Sequence, residues 1–132
     1  MANTPTMSNT DGAVKLIRDD HRHILALFQL YRAAPADSRQ SHIDQILQRL
    51  TGHFQMEERL TEDVRHQDNE GRTLVEHLLL EHEEIKAMVD ELQQAENDDD
   101  ELLDEFFEDM MQTVRAHFIA EERDLFPLLN KR

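Results

Sequence analysis

The sequence reads His53-Phe54-Gln55-Met56-Glu57-Glu58-Arg59, and sixty-four residues further on it reads His117-Phe118-Ile119-Ala120-Glu121-Glu122-Arg123. The shared pattern is H-F-x-x-E-E-R. Residues four apart on a helix lie on one face, one turn above the other. His53 with Glu57, and His117 with Glu121, therefore each present an imidazole and a carboxylate to one point in space. One such pair is ordinary surface chemistry. Two in register read as two half-sites that face each other.

A second pair of stretches matches in the same way. Asp20-His21-Arg22-His23-Ile24-Leu25-Ala26-Leu27-Phe28 lines up with Glu81-His82-Glu83-Glu84-Ile85-Lys86-Ala87-Met88-Val89, offset by 61 residues. The two offsets are close enough that the chain reads as two copies of one helical hairpin. The alignment pairs His21 with His82 and leaves His23 and His77 outside the pattern. His77 lies five residues before His82, about 140° round the helix from it.

Composition supports helix almost throughout. Of 132 residues, 3 are Gly and 3 are Pro, so breakers are scarce among long runs of Leu, Glu, Gln, Arg and Ala. The predicted helices run from Asp11 or Gly12 to Ala34, from Asp37 or Ser38 to Arg65, from Thr73 to Ala95, and from Asp99 to Phe126. Pro35 and Pro127 are the expected stops. Thr73-Leu74-Val75-Glu76 reads as a capping box for the third helix. Gly52, inside the second, suggests a close approach of a neighbouring helix. On the fourth, Leu102, Phe106, Met110, Val114, His117, Glu121 and Leu125 mark the expected inner face. Tyr31 and the methionines read as packing.

The expectation is an all-α fold, an antiparallel up-and-down four-helix bundle with an internal two-fold hairpin repeat. It spans residues 12–129, between a flexible N-terminal tail at 1–11 and a C-terminal tail at 130–132. The run 96–100 is an acidic loop.

The net charge of −15 argues against a nucleic-acid backbone or an anionic membrane surface as partner. No apolar run approaches the length of a membrane span, and the N-terminus lacks the character of a secretory signal. A cytoplasmic location is the default. Cys is absent, which excludes disulfides, a thiol nucleophile, an iron–sulfur cluster and thiolate-bound zinc. Nothing in the sequence sets the oligomeric state.

Helix lengths put His21, His53, Glu57, His82, His117 and Glu121 at comparable depth. Six such groups are costly to bury without partners, and a pair of metal ions would satisfy them. Each ion would take two His, and the two Glu would bridge, leaving positions for an oxo, hydroxo or small ligand. Nitrogen and oxygen donors suit iron, manganese or zinc. Iron is favoured because open positions and bridging carboxylates suit dioxygen chemistry. Glu58 and Glu122 lie a further 100° or so round their helices, as surface groups or as groups that orient a ligand histidine.

The order D-H, H-x-x-x-E-E, E-H-E-E-I and H-x-x-x-E-E-R-D-L-F-P resembles the hemerythrin-like HHE cation-binding domain over residues 13–129. The resemblance implies a four-helix bundle around a non-haem di-iron centre, with ligands at His21, His53, Glu57, His82, His117 and Glu121. Oxygen-carrying hemerythrins use five His, two of them four apart in the third helix. Leu78 holds that position here, which brings the pattern closer to bacterial relatives implied in oxidative or nitrosative stress. Some of those are iron-centre repair proteins with an added Cys-containing domain, not included in these 132 residues. The expected function is a soluble di-iron protein that binds or reacts with dioxygen, nitric oxide or peroxide. The alternative is iron storage, donation or iron-centre repair without turnover.

Overall fold

The computed structural model describes residues 9–94 and 100–130. Four long helices and one short one account for nearly all of them: α1 (Asn9–Ala33), α2 (Arg39–Leu60), α3 (Glu62–Gln67), α4 (Asn69–Gln94) and α5 (Asp100–Asn130). The architecture is the expected all-α four-helix bundle. α1 packs against α2 and α5, while α4 packs against α3 and α5. Short connections force neighbours in the chain to run antiparallel. The expected tails and acidic loop fall largely on residues outside those described, but Asn9, Asn130 and Asp100 belong to helices.

Several boundaries differ from expectation, each for a local reason. The second predicted helix is interrupted at Thr61. Its hydroxyl donates to the Glu57 carbonyl at 2.9 Å, a back-bond that bends helices, and α3 resumes beyond it. The gap expected between Arg65 and Thr73 shrinks to Asp68. The Asp68 carboxylate accepts from the Gly71 N–H at 2.7 Å, so Asp68, not Thr73, caps α4.

Gly71 supplies the close approach that Gly52 was expected to make. A Cβ at Gly71 would collide with the Val64 carbonyl, whereas one at Gly52 would meet nothing within 4 Å. Pro127 does not end α5, which continues to Asn130. Pro127 and Arg123 are both exposed, so water can take the carbonyl that Pro127 leaves unbonded. Burial of Leu128 and Leu129 holds the last turn in place.

The inner face of α5 follows Phe107, Met110, Met111 and Val114, and Leu102 is 61% exposed. The expected series Leu102-Phe106-Met110-Val114 has uniform four-residue spacing, which precesses about 40° per step from a true helical face. Alternating steps of three and four back from Glu121 reach Phe107 instead.

The core is split in two. Ile24, Phe28, Ile46, Leu50, Ile85, Phe107 and Val114 belong to one apolar cluster. Val14, Ile17, Val64, Val75, Leu78, Leu125 and Phe126 belong to the other. In sequence, each site histidine falls between members of these clusters, as His21 does between Ile17 and Ile24 and His82 between Leu78 and Ile85. The bundle thus carries a polar layer within an otherwise apolar interior. Among the described residues no helix is long and apolar enough to cross a membrane.

Candidate metal centre

All six sequence-selected residues meet in that layer. His21, His53, Glu57, His82, His117 and Glu121 are each at most 3% exposed. They form two overlapping sets: His21, His53, Glu57 and Glu121, and Glu57, His82, His117 and Glu121. Each set brings one potential ligand atom per residue to within 4.8 Å of the others. The two carboxylates are common to both sets.

Every histidine turns Nε2 inward. His21 Nε2 lies 3.1 Å from Glu121, and His82 Nε2 lies 2.9 Å from Glu57. His53 Nε2 is 3.2 Å from Glu57, and His117 Nε2 is 3.3 Å from Glu121. Every Nδ1 meets a carboxylate outside this set. The Nδ1–H of His21 donates to Glu122 at 2.9 Å and that of His82 to Glu58 at 3.1 Å. That of His53 donates to Asp20 at 2.8 Å and that of His117 to Glu81 at 2.7 Å. An ionised carboxylate only accepts, so it fixes the proton on Nδ1 and leaves Nε2 of a neutral ring free to coordinate.

The repeated motifs now acquire roles residue by residue. Phe54 stacks on His82 with ring centroids 4.3 Å apart, and Phe118 stacks on His21 at 3.8 Å. Phe54, Glu57 and Glu58 thus all serve His82, and Phe118, Glu121 and Glu122 all serve His21. The acidic residue before each first histidine serves the partner helix: Asp20 holds His53, and Glu81 holds His117. Three outer carboxylates are braced in turn. Arg49 donates to Asp20 at 2.9 Å, Lys86 donates to Glu58 at 3.1 Å, and His77 pairs with Glu81 at 3.4 Å.

The electrostatics of the chain without metal are those of a charged cluster. Burial opposes the imidazolium form, but hydrogen bonds to Glu121, Glu57 and Glu122 raise His21 to about 9. The same opposition is overcome at His82 by Glu121 and Glu57, which raise it to about 10. Glu57 is likewise buried, yet hydrogen bonds from its neighbours hold it well below the usual carboxylate range.

The donor set fits a metal. His53 Nε2, Glu57 Oε2, His117 Nε2 and Glu121 Oε2 are buried without a hydrogen-bond partner. Such atoms are rare in folded proteins and call for an explanation such as a bound ion. These four belong to the central sets; the one other such atom among the described residues is Arg39 Nε.

Sequence reasoning missed Asp20 and Glu81 as outer partners, although the acidic residue preceding His21 and His82 was part of the repeat. It left Glu58 and Glu122 open between surface and ligand-orienting roles; both orient a histidine. His23 is exposed, as expected.

Residues 12–129 match the hemerythrin HHE cation binding domain, and the chain belongs to that family. No curated protein and no solved structure matches it.

Proposed function

We propose that this member of the hemerythrin HHE family holds two iron ions and binds or reacts with a small ligand: dioxygen, nitric oxide or peroxide. The observation that carries this reading is the sharing of Glu57 and Glu121 between two four-residue donor sets. His21 and His53 would hold one ion and His82 and His117 the other, with Glu57 and Glu121 common to both sets. Each ion would thus be held by four protein donors. The donors are nitrogen and oxygen only, which suits iron and is compatible with manganese or zinc. Bound iron would supply Lewis acidity and one-electron redox chemistry toward the small ligand.

The chain's own residues orient the donors and exclude water. Asp20, Glu58, Glu81 and Glu122 hold the four imidazoles in the coordinating tautomer. Phe54 and Phe118 fix two of the rings by stacking, and the apolar clusters keep the layer dry.

Elemental analysis of protein purified without added metal, with optical spectra before and after air or peroxide, tests the proposal. The expected result is two irons per chain, one for each donor set, with an absorption that responds to the oxidant. A chain that holds no metal after anaerobic ferrous loading would overturn it. Iron that binds but passes rapidly to an apo acceptor would favour donation.

A further inference from the structure

Two features of the sequence remain outside the centre: Gly52 within α2, and the exposed His23 on α1. They border one groove. It has a volume of about 860 Å³, and its walls include Asp19, Asp20 and His23 from α1 and Arg49, Gly52 and His53 from α2. His53 lines this groove and is also a member of a central donor set. The His53 ring is itself wholly buried and stands at the boundary between the groove and the buried layer.

Gly52 is what leaves the groove open beside that ring. Glycine inside a helix is unfavourable, and no neighbouring group would contact a Cβ there. The position carries the cost of glycine without any packing that demands it. The missing side chain adds only space, next to His53.

The ring is held by a latch that reaches the surface. Asp20 accepts from His53 Nδ1 through one oxygen at 2.8 Å. Its other oxygen accepts from Arg49, with Nη2 at 2.7 Å and Nε at 2.9 Å. The Arg49 side chain is 49% exposed. The other half of the repeat is built differently. At the offset of 64, Thr113 stands in the place of Arg49 and Ala116 in the place of Gly52. The brace on Glu81 comes from His77 on the same helix.

We propose that this groove is the route by which a divalent metal ion reaches the centre, with His53 as the donor that swings and Asp20–Arg49 as its latch. The proposal rests on the metal-centre reading above. The acidic chain draws cations toward its surface. Asp19, paired at the surface with Lys15, and His23 then offer the oxygen and nitrogen donors that a hydrated ferrous ion exchanges for water. Release of Asp20 from Arg49 frees His53 to turn, admit the ion and close over it.

The test is the rate of ferrous uptake by the full chain stripped of metal, followed anaerobically by competition with a chromogenic chelator. Final metal content is measured in parallel, and folding is checked by circular dichroism. Gly52→Leu should narrow the groove beside His53 and slow uptake by about tenfold, the effect of about 1.4 kcal/mol on the barrier, with unchanged final content. Gly52→Ala should fall between it and the parent chain. Arg49→Gln should load faster and also lose metal faster to the chelator. Ala116→Leu, at the matching position of the other half, should load at the parent rate. Parent-like uptake in Gly52→Leu, or equal slowing in Ala116→Leu, would overturn the route while leaving the centre standing. A parent chain that takes up no ferrous iron would overturn both.

Discussion

Removing the metal should destabilise the protein by an amount readable from the atoms it leaves behind. Four central atoms are buried without a hydrogen-bond partner: His53 Nε2, Glu57 Oε2, His117 Nε2 and Glu121 Oε2. At about 1–3 kcal/mol for each buried unsatisfied group, the set is worth about 4–12 kcal/mol. The lower part of that range applies. His53 and Glu57 still lie 3.2 Å apart, and His117 and Glu121 3.3 Å apart, so charge attraction survives where hydrogen-bond geometry fails. A contribution of about 4–6 kcal/mol also agrees with mass action, since two ions each held at about a hundred times their Kd add about 5 kcal/mol.

The unfolding entropy of a 132-residue chain is about 0.28 kcal/mol/K, at about 2.1 cal/mol/K per residue. Stripping the metal should therefore lower Tm by roughly 15–20 °C. The assay is calorimetry at fixed pH on protein as isolated, after a strong chelator, and after anaerobic reloading with ferrous iron. His53→Ala should abolish most of the difference between the loaded and stripped states. His23→Ala, which changes an exposed residue, should preserve it. A shift below about 3 °C, under 1 kcal/mol on the same scale, in a sample from which metal has demonstrably left, would refute the assignment of those orphaned atoms to the ion.

Asp20→Asn removes the charge behind His53 and should weaken one of the two ions by about 10–100-fold; a chelator titration identical to the parent's would count against that outer role. Metal-free stability should fall on the alkaline side. His21 at about 9 and His82 at about 10 stand above their ordinary 6.5, so their stabilisation is complete below about 6.5 and is lost as pH rises through 9 to 10. Metal uptake needs neutral imidazoles and should release protons, strengthening as pH rises. A stripped chain that gains stability between pH 7 and 10 would contradict the sign. The two helix glycines should respond oppositely to alanine: Gly52→Ala should gain up to about 1 kcal/mol in a urea melt. Gly71→Ala should lose about 1–3 kcal/mol through overpacking against Val64, and the reverse order would contradict the packing described.

The six central residues were legible because the sequence states them twice. Two His-x-x-x-Glu turns and two further histidines recur at nearly equal offsets, and helical geometry alone then sends them to one depth. The outer carboxylates were harder to read because their pairings run between helices. Nothing local to Asp20 says that it faces His53, 33 residues on, rather than its neighbour His21. Boundary errors had similar origins. Thr61 interrupts a helix through its own hydroxyl, Asp68 caps one through a carboxylate that looked like part of a loop, and Pro127 is tolerated on a face where it and Arg123, four residues before it, are both exposed. Gly52 and Gly71 are the same residue type in the same kind of element. Only the neighbouring backbone, Val64 in one case and open space in the other, distinguishes a packing glycine from a groove-lining one.

The pattern of service across the bundle explains why the motif has to occur twice. Phe54, Glu57 and Glu58 on α2 act on His82 of α4, and Phe118, Glu121 and Glu122 on α5 act on His21 of α1. Each hairpin supplies what the other hairpin's first histidine needs. One donor set takes Glu121 from the second hairpin, and the other takes Glu57 from the first. Neither hairpin alone contains a complete set, so the four-donor sites exist only once both have docked. Docking of the hairpins and metal binding should therefore reinforce each other, because the contacts that stack and orient His21 and His82 are the same contacts that join the two hairpins.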